Sequence, residues 1–331
     1  MDNAFNKKVT DRLEYIVKSK DEGKEVQYLL KGRLKIASGM IKVLKYNKGI
    51  LIDGEAVRGT AIVKEGQTVT LLLNCLENNP EILPPDIKPE EASLDILYED
   101  DALIVINKPA DTVIHPTCSH QSGTLLNYLL YYWQKKGIFT DAHLVGRLDK
   151  DTTGIVIIAR NGYVQESLKI QSQQGIMKKY YLAAVSPAPS HSTLSAPEGT
   201  IDAPIMRDYD SIIKRKIDPA GASAVTHYKT LVEFAATDSF PSWAIVEYLL
   251  ETGRTHQIRL HSSYSGFPII GDTLYGNPDE PAAHRAPHQL LHAYKTEIIH
   301  PVTNEKLIFM AMPPKEWGKY NYPTETELLN Q

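Results

Sequence analysis

The sequence predicts an α+β protein: a small mixed module followed by a larger domain built on a mixed sheet with few helices. Three observations predict it. The 331 residues exceed what one domain normally holds. Pro80, Pro84, Pro85 and Pro89 punctuate an acidic stretch over 76–93 that can neither continue a helix nor join a central strand, and so reads as a linker between a module at 1–75 and a domain at 94–331. Downstream of that stretch, apolar strand-like runs outnumber amphipathic helical ones.

In the first module, VQYLLKGRL and SGMIKVLKY carry apolar residues at helical spacing. GILIDGEAVRG then reads as two short strands around an Asp-Gly turn, and EGQTVTLLL as a closing strand. In the larger domain DALIVINKP, GIVIIAR, KYYLAAV, VTHYKTLVEF and WAIVEYLLETG read as strands bounded by Gly, Pro and Asp turns. TLLNYLLYYWQKK and YVQESLKIQSQQ read as helices, the first with an apolar stripe dense enough to bury one face.

Composition excludes several classes. Hydrophobic residues make up 42% and charged residues 23%, close to an ordinary globular chain. The opening MDNAFNKKVT has no apolar stretch suited to a signal peptide, and no later run reaches the roughly 18 apolar residues of a spanning helix, so the expectation is a cytoplasmic protein without a membrane partner. Cys75 and Cys118 form no CxxC pair, which argues against a thiolate zinc site or a disulfide framework. Net charge is −4, yet residues 1–75 hold 14 Lys and Arg against 9 Asp and Glu, a net of +5, while 76–101 hold 1 against 9, a net of −8. That asymmetry permits a basic face on the first module and a local basic cleft in the second. No glycine-rich dinucleotide fingerprint or phosphate loop occurs, so cofactor-driven and nucleotide-driven chemistry lose support.

Two segments concentrate polar residues. Arg147-Leu148-Asp149-Lys150-Asp151-Thr152-Thr153-Gly154 leads straight into an apolar strand; Asp151, Thr152 and Thr153 fit an ordinary turn in which side chains bond the backbone. Thr252 to His261 crowds Arg254, His256, Arg259 and His261 after another strand. If Thr255 to His261 is helical, Thr255, Arg259 and Ser262 share a face, as do Gln257 and His261, and offer donors to phosphate or carboxylate; a solvated surface with one satisfied histidine is the alternative. His284, His288 and His292 recur every four residues, but Pro287 breaks the helix that would align them and no orienting carboxylate is near, so no metal site is expected.

Six ordered motifs give these pieces a common frame: LYEDDALIVINKPADTVIHPT (97–117), GRLDKDTTG (146–154), KKYYLAAV (178–185), API with GASAVTHYKTL (203–205 and 221–231), TGRTHQIRLH (252–261) and PIIGDTLYG (268–276). Together the sequence resembles the RluA-type pseudouridine synthases, which act on ribosomal and transfer RNA. The resemblance implies that family's fold, a mixed, largely antiparallel central sheet flanked by helices and loops. Residues 26–73 are similar, less distinctively, to the αL-type RNA-binding module that often precedes it, with Lys42, Lys45 and Lys48 as its basic residues; a generic small α/β cap is the alternative. Two positions depart from the family pattern. Gly146 stands where a His usually precedes Arg-Leu-Asp. Asp111 stands where a Gly usually follows Asn-Lys-Pro-Ala, and would have to tolerate a left-handed or bridging conformation.

The resemblance also implies chemistry. Pseudouridine formation breaks the bond between ribose and a uracil nitrogen, turns the base and rejoins it through a ring carbon, without a redox or phosphoryl cofactor. Asp149 matches the catalytic carboxylate, Arg259 the arginine that pairs with it, and Tyr181 the tyrosine that stacks on the target base. Arg147 corresponds to the arginine that enters the RNA stack as the uridine flips out, and Arg254 and His256 fall to RNA binding. The expected partner is structured RNA, ribosomal RNA first and transfer RNA second, bound by a monomer. A noncatalytic RNA-binding or ribosome-assembly factor is the rival, and intact Asp149, Tyr181 and Arg259 argue against it. A hydrolase using Asp149 with His256 lacks a recognisable nucleophile, base and orienting group.

Overall fold

The computed structural model describes residues 12–34, 36, 38–72, 87–117, 121–138, 141–186, 197–236, 242–279, 286–315 and 317. The opening decapeptide, both cysteines, His284 and the linker as far as residue 86 lie outside the described residues; 87–93 form neither helix nor strand.

The first described unit runs β1 (Arg12–Ile16), α1 (Val26–Gly32), α2 (Ser38–Tyr46), β2 (Ile50–Ile52), β3 (Glu55–Ala56) and β4 (Thr68–Leu72). Its strands form an antiparallel sheet in the order β1-β4-β2-β3. Both residues of the Asp53-Gly54 turn have positive φ, 51° and 87°, the geometry a tight two-residue hairpin requires. Val26, Leu29, Leu30, Ile41 and Leu44 of the helices pack on Ile50, Val69 and Leu71 of the sheet as one cluster. The sequence reading missed β1, whose residues are at most half buried.

The larger unit runs β5 (Ile96–Glu99), β6 (Leu103–Lys108), α3 (Leu125–Lys135), β7 (His143–Leu144), β8 (Thr153–Ala159), α4 (Gly162–Gln173), β9 (Lys178–Val185), β10 (Glu198–Asp202), β11 (Ile205–Arg207), β12 (Arg215–Ile217), β13 (Val225–Phe234), β14 (Trp243–Leu250), α5 (Gln257–Tyr264), β15 (Leu291–Ile299) and β16 (Lys306–Met310). One sheet has the order β10-β13-β14-β9-β15-β8-β6-β5, with β16 on β15 and β7 on β8. All its pairings are antiparallel except β15 with β8, where His292 opposes Thr153. This is the mixed sheet with few helices that the sequence predicts.

Helix α3 begins in a capping box between Thr124 and Asn127. Its buried Leu125, Leu126, Leu129, Leu130 and Trp133 cover Ile104, Ile106, Val156 and Ile158. Each such leucine contributes about 1.5–3 kcal/mol by leaving water. On β9, Tyr181, Ala183 and Val185 enter a second cluster with Val246, Tyr248, Ile258 and Ile269. Helix α5 is thereby fastened to β9 and β14, and its Arg259 stands near the start of β8.

Candidate active site

Asp149 lies in the turn that leads into β8, and Thr152 N donates to its carbonyl at 3.2 Å. Behind the turn is Lys108, at the end of β6 and fully buried. Its ammonium donates to the carbonyls of Pro109 (2.8 Å), Thr112 (3.0 Å) and Lys150 (2.7 Å), which uses all three of its protons. Burial pushes Lys108 down to about 8, against the pull of Asp151, Asp149 and Asp111. The Asn-Lys-Pro turn is thus bonded to the Asp149 turn through a lysine side chain. Asp111 has φ 56°, the left-handed conformation expected from its position, and pairs with Lys150 at 2.7 Å.

Arg259 comes to Asp149 from α5. Its Nη1 donates to Asp149 Oδ2 at 3.0 Å, while Nε and Nη2 hold Asp272 Oδ2 and Oδ1 at 2.7 and 2.8 Å in a two-pronged pair. Asp272 also accepts the amides of Leu274 and Tyr275 at 2.8 and 3.0 Å. Burial alone would raise the Asp272 carboxyl, but the bonds and charge of Arg259 outweigh it and hold it below the usual carboxylate range. Burial opposes the Arg259 charge in turn, and the two carboxylates more than offset it. The Tyr275 ring lies 5.5 Å from the guanidinium carbon. One face of Arg259 is therefore fixed in protein and the other presented to Asp149, whose side chain is 27% exposed.

A cavity of about 600 Å³ opens over this pair. Asp149, Arg147, Tyr181, Arg254, His256 and Arg259 all line it. Tyr181 is only 7% exposed, and burial, with the Asp149 charge, pushes its phenol up so that it stays protonated. His256 has φ 60° at the head of α5; its Nε2 lies 3.8 Å from Asp149 Oδ2 and its Nδ1 shares a 3.1 Å bond with the Tyr275 hydroxyl. Burial lowers the His256 pKa and Arg259 and Arg215 lower it further, against the pull of Asp149. Arg254 is exposed at the rim with Nε on the Ser223 carbonyl at 2.9 Å, and Arg147 is exposed beside Asp149. Lys42, Lys45 and Lys48 are not brought here. They are exposed on and just after α2, where Lys45 Nζ donates to Gln27.

The helical faces read from Thr252 to His261 need correction. The helix starts at Gln257, and Gln257, His261 and Ser262 point inward. Gln257 bonds the Val225 carbonyl and Thr226, His261 bonds Thr226 and the Ala203 carbonyl, and Ser262 bonds the Phe267 carbonyl, so none is left for a phosphate. Their polarity anchors the helix. His292 is likewise buried in β15 between Thr153 (2.7 Å) and the Ala311 carbonyl (2.9 Å).

Asp272, Tyr275, Lys108 and Lys179 went unassigned in the sequence. The first two sit in PIIGDTLYG, where an Asp between two glycines signals a buried carboxylate in a tight turn. At Gly271 (φ 75°) an added Cβ would stand 2.3 Å from the His288 carbonyl oxygen, and at Gly276 2.2 Å from that of Asp272. Lys179 lines the cavity, with its ammonium 3.0 Å from where a Cβ on Gly146 would stand. Burial lowers its pKa. Gly146, in place of the family's usual His, leaves room for it.

With a carboxylate, its guanidinium partner and a buried tyrosine at one opening, the site can attack or deprotonate a sugar or base held out of water. Residues 102–264 match the family described as RNA pseudouridylate synthase. An uncharacterized RNA pseudouridine synthase of Bacillus subtilis, YjbO, is 37% identical over 87% of this chain and 95% of its own. The chain belongs to the RluA-type RNA pseudouridine synthases. The ribosomal large subunit pseudouridine synthase D of Pseudomonas aeruginosa is 36% identical to this synthase over 81% of each protein. Among solved structures, human RNA pseudouridylate synthase domain containing 1 shares the fold, with a TM-score of 0.55 and 22% identity over 73% of this chain and 96% of that one. The synthase converts uridines in RNA to pseudouridine. No helix among its described residues is long and apolar enough to cross a membrane.

Proposed function

We propose that this synthase modifies uridines of folded large-subunit ribosomal RNA, with Asp149 as the catalytic carboxylate. The observation that carries the reading is the placement of Asp149 at the mouth of a cavity of about 600 Å³ while Arg259, pinned by Asp272, holds one carboxylate oxygen. A cavity of that size accepts a flipped nucleotide. Once the base displaces water, Asp149 keeps a buried partner in Arg259, which holds the carboxylate in its orientation. It then adds to the ribose or uracil, or removes a sugar proton, so that the bond from ribose to uracil nitrogen breaks. The base turns and the ring carbon takes the bond, losing its proton at the end. Tyr181 supplies the face against which the base stacks, and its protonated phenol relays the last proton by handing its own to the freed Asp149 carboxylate as it takes the one from the ring carbon.

Arg147, exposed at the rim beside Asp149, fills the gap left in the RNA stack, and Arg254 and His256 contact the backbone and base around it. The first module, with Lys42, Lys45 and Lys48 exposed toward solvent, adds affinity for RNA shape through contacts to phosphates. Unstacking a base costs a few kcal/mol, so uridines in loops or bulges are preferred. Relatives whose names specify the large ribosomal subunit support that substrate. The same reading has the enzyme act as a cytoplasmic monomer.

Purified protein and its Asp149→Ala form are incubated with unmodified cellular RNA, and pseudouridine is mapped across ribosomal and transfer RNAs. New pseudouridine at defined large-subunit positions, absent with the variant, is the expected result. Sites confined to transfer RNA would replace the substrate, and tight RNA binding without modification would overturn catalysis in favour of an assembly factor.

A further inference from the structure

Lys108 and Lys179 both border the Asp149 site, and they are held differently. Lys108 spends all three of its protons on carbonyls. Lys179, in β9, has no hydrogen-bond or ion-pair partner among the described residues, although it is half-buried and lines the cavity over Asp149 and Arg259. Burial lowers its pKa, the response of an amine taken from water with no anion beside it. A cation carried into such a place is costly unless a negative charge arrives there.

Local structure aims the ammonium. Lys179 and Tyr181 are two apart on one strand, so both side chains leave the same face, about 7 Å apart along the strand. That spacing is one a pyrimidine ring spans. Across β15 they stand opposite Thr296 and Ala293, with a register shift between the two pairs. Gly146 clears the space in front, since a Cβ there would lie 3.0 Å from Lys179 Nζ. A smaller space of about 30 Å³ adjoins the main cavity, sharing Gly146, Lys179 and Tyr181 with it and bounded further by Ile155 and Thr296. The ammonium therefore has room to follow a group that moves.

The chemistry proposed for this site creates a charge for it. When the bond from ribose to the uracil nitrogen breaks, its electron pair stays with the base and spreads onto the two carbonyl oxygens. Attack on the anomeric carbon leaves this anion, as does removal of a sugar proton followed by expulsion of the base. Addition of the carboxylate to the ring puts the charge on a carbonyl oxygen directly. The turn that exchanges ring nitrogen for ring carbon also exchanges the two carbonyls. A single donor fixed beside the ring thus meets a carbonyl oxygen both before and after the turn. The electron pair returns to the ribose in the new carbon–carbon bond, and in net the ring-carbon proton passes to the vacated nitrogen, so no co-reactant is consumed.

Resting on the proposed reading of the site, we infer that Lys179 is a further catalytic residue, which donates to a uracil carbonyl oxygen and stabilises the detached, negatively charged base while it turns.

The test uses the full chain and the folded RNA fragment in which wild type makes pseudouridine, prepared with uridine or with 5-fluorouridine at the target. Fluorine withdraws electrons, so its base leaves as a more stable anion and needs less help. Loss of the nitrogen-linked nucleoside in nuclease digests reads bond cleavage for both. Lys179→Met is expected to slow single-turnover cleavage about 100-fold with uridine and at most about tenfold with 5-fluorouridine, at unchanged RNA affinity. Lys179→Arg, which keeps a cationic donor, is expected to recover about tenfold of that loss, and Gly146→Ala, which crowds the ammonium, to lose about tenfold. The ratio of the two rates within one protein does not depend on how much of it is folded. Equal slowing on both nucleotides, a wild-type rate in Lys179→Met, or a defect confined to RNA affinity would overturn the inference while leaving the catalytic reading of Asp149 standing. Failure of wild type to modify any RNA would instead remove the reading beneath it.

Discussion

Arg259 makes three bonds to two carboxylates, and substitution separates their roles. Lysine at this position has one ammonium and no fork, so it can hold Asp272 or face Asp149 but not both at the observed geometry. Arg259→Lys is expected to lower the single-turnover rate about 100-fold with RNA affinity little changed, since a catalytic group displaced by an ångström loses about that much. Asp272→Asn removes the charge that pins the guanidinium. Unbalancing a buried pair costs about 3 kcal/mol, so its denaturant midpoint should fall together with the rate, and Asp272→Glu should restore part of each. Normal turnover by Asp272→Asn would refute the pinning role. At this scale the sequence was partly legible. Asp149, Tyr181 and Arg259 were singled out through the motifs of the family the sequence resembles, GRLDKDTTG, KKYYLAAV and TGRTHQIRLH. Asp272 and Lys108 were not, because a buried charge is recognisable only through partners that lie far away in sequence: Arg259 for the one, the Lys150 carbonyl for the other.

Strand β8 shows what an element must do to place a side chain. Gly154 has φ 107°, and a Cβ there would stand 2.3 Å from the Ala293 carbonyl oxygen of β15. The backbone of β8 can therefore approach β15 only as glycine, five residues after Asp149. Gly154→Ala is expected to lower stability by several kcal/mol through strain and backbone collision. A far-ultraviolet melt reads that loss, and a midpoint within a degree of wild type would contradict it. Strands β6, β8, β9 and β14 are legible because each contains an unbroken stretch of apolar residues that is buried in succession. β15 is not, since LHAYKTEII mixes His292, Lys295, Thr296 and Glu297 with its apolar residues. Its placement between β8 and β9 is set by pairing, which periodicity in one segment does not encode.

For the whole molecule, pH and salt report on different parts. His292 bonds the Ala311 carbonyl through Nε2, which must carry the proton, and its Nδ1 accepts from Thr153. Burial lowers its pKa from 6.5 to about 4. The unfolded chain takes up a proton as pH falls through 6.5, while the folded chain resists until about 4. Its contribution is fully present above 6.5 and lost on acidification across that window, about 3 kcal/mol in all. Urea midpoints measured from pH 7 to 4 should fall accordingly, and His292→Gln, which cannot titrate, should flatten that part of the profile. An equally steep fall in the variant would assign the loss to other groups. The RNA contacts proposed for the first module are expected to answer to salt instead. Replacing Lys42, Lys45 and Lys48 with Gln should reduce the salt slope of RNA binding by about two and leave the single-turnover rate at saturation unchanged. An unaltered slope would mean that these lysines do not meet phosphate.

The parallel pairing of His292 with Thr153 also sets a timetable. During synthesis the Asp149 turn leaves the ribosome long before the strand that must lie beside it, and contacts between such distant residues form slowly. Nascent chains ending before Leu291 have the carboxylate, Arg259 and Asp272 but lack the strand that sits between β8 and β9. A chain stopped at residue 290 should make no pseudouridine, and one released after β16 should. If RNA of the large subunit is the substrate, a half-made enzyme is then silent toward the ribosome producing it, and modification begins only after release.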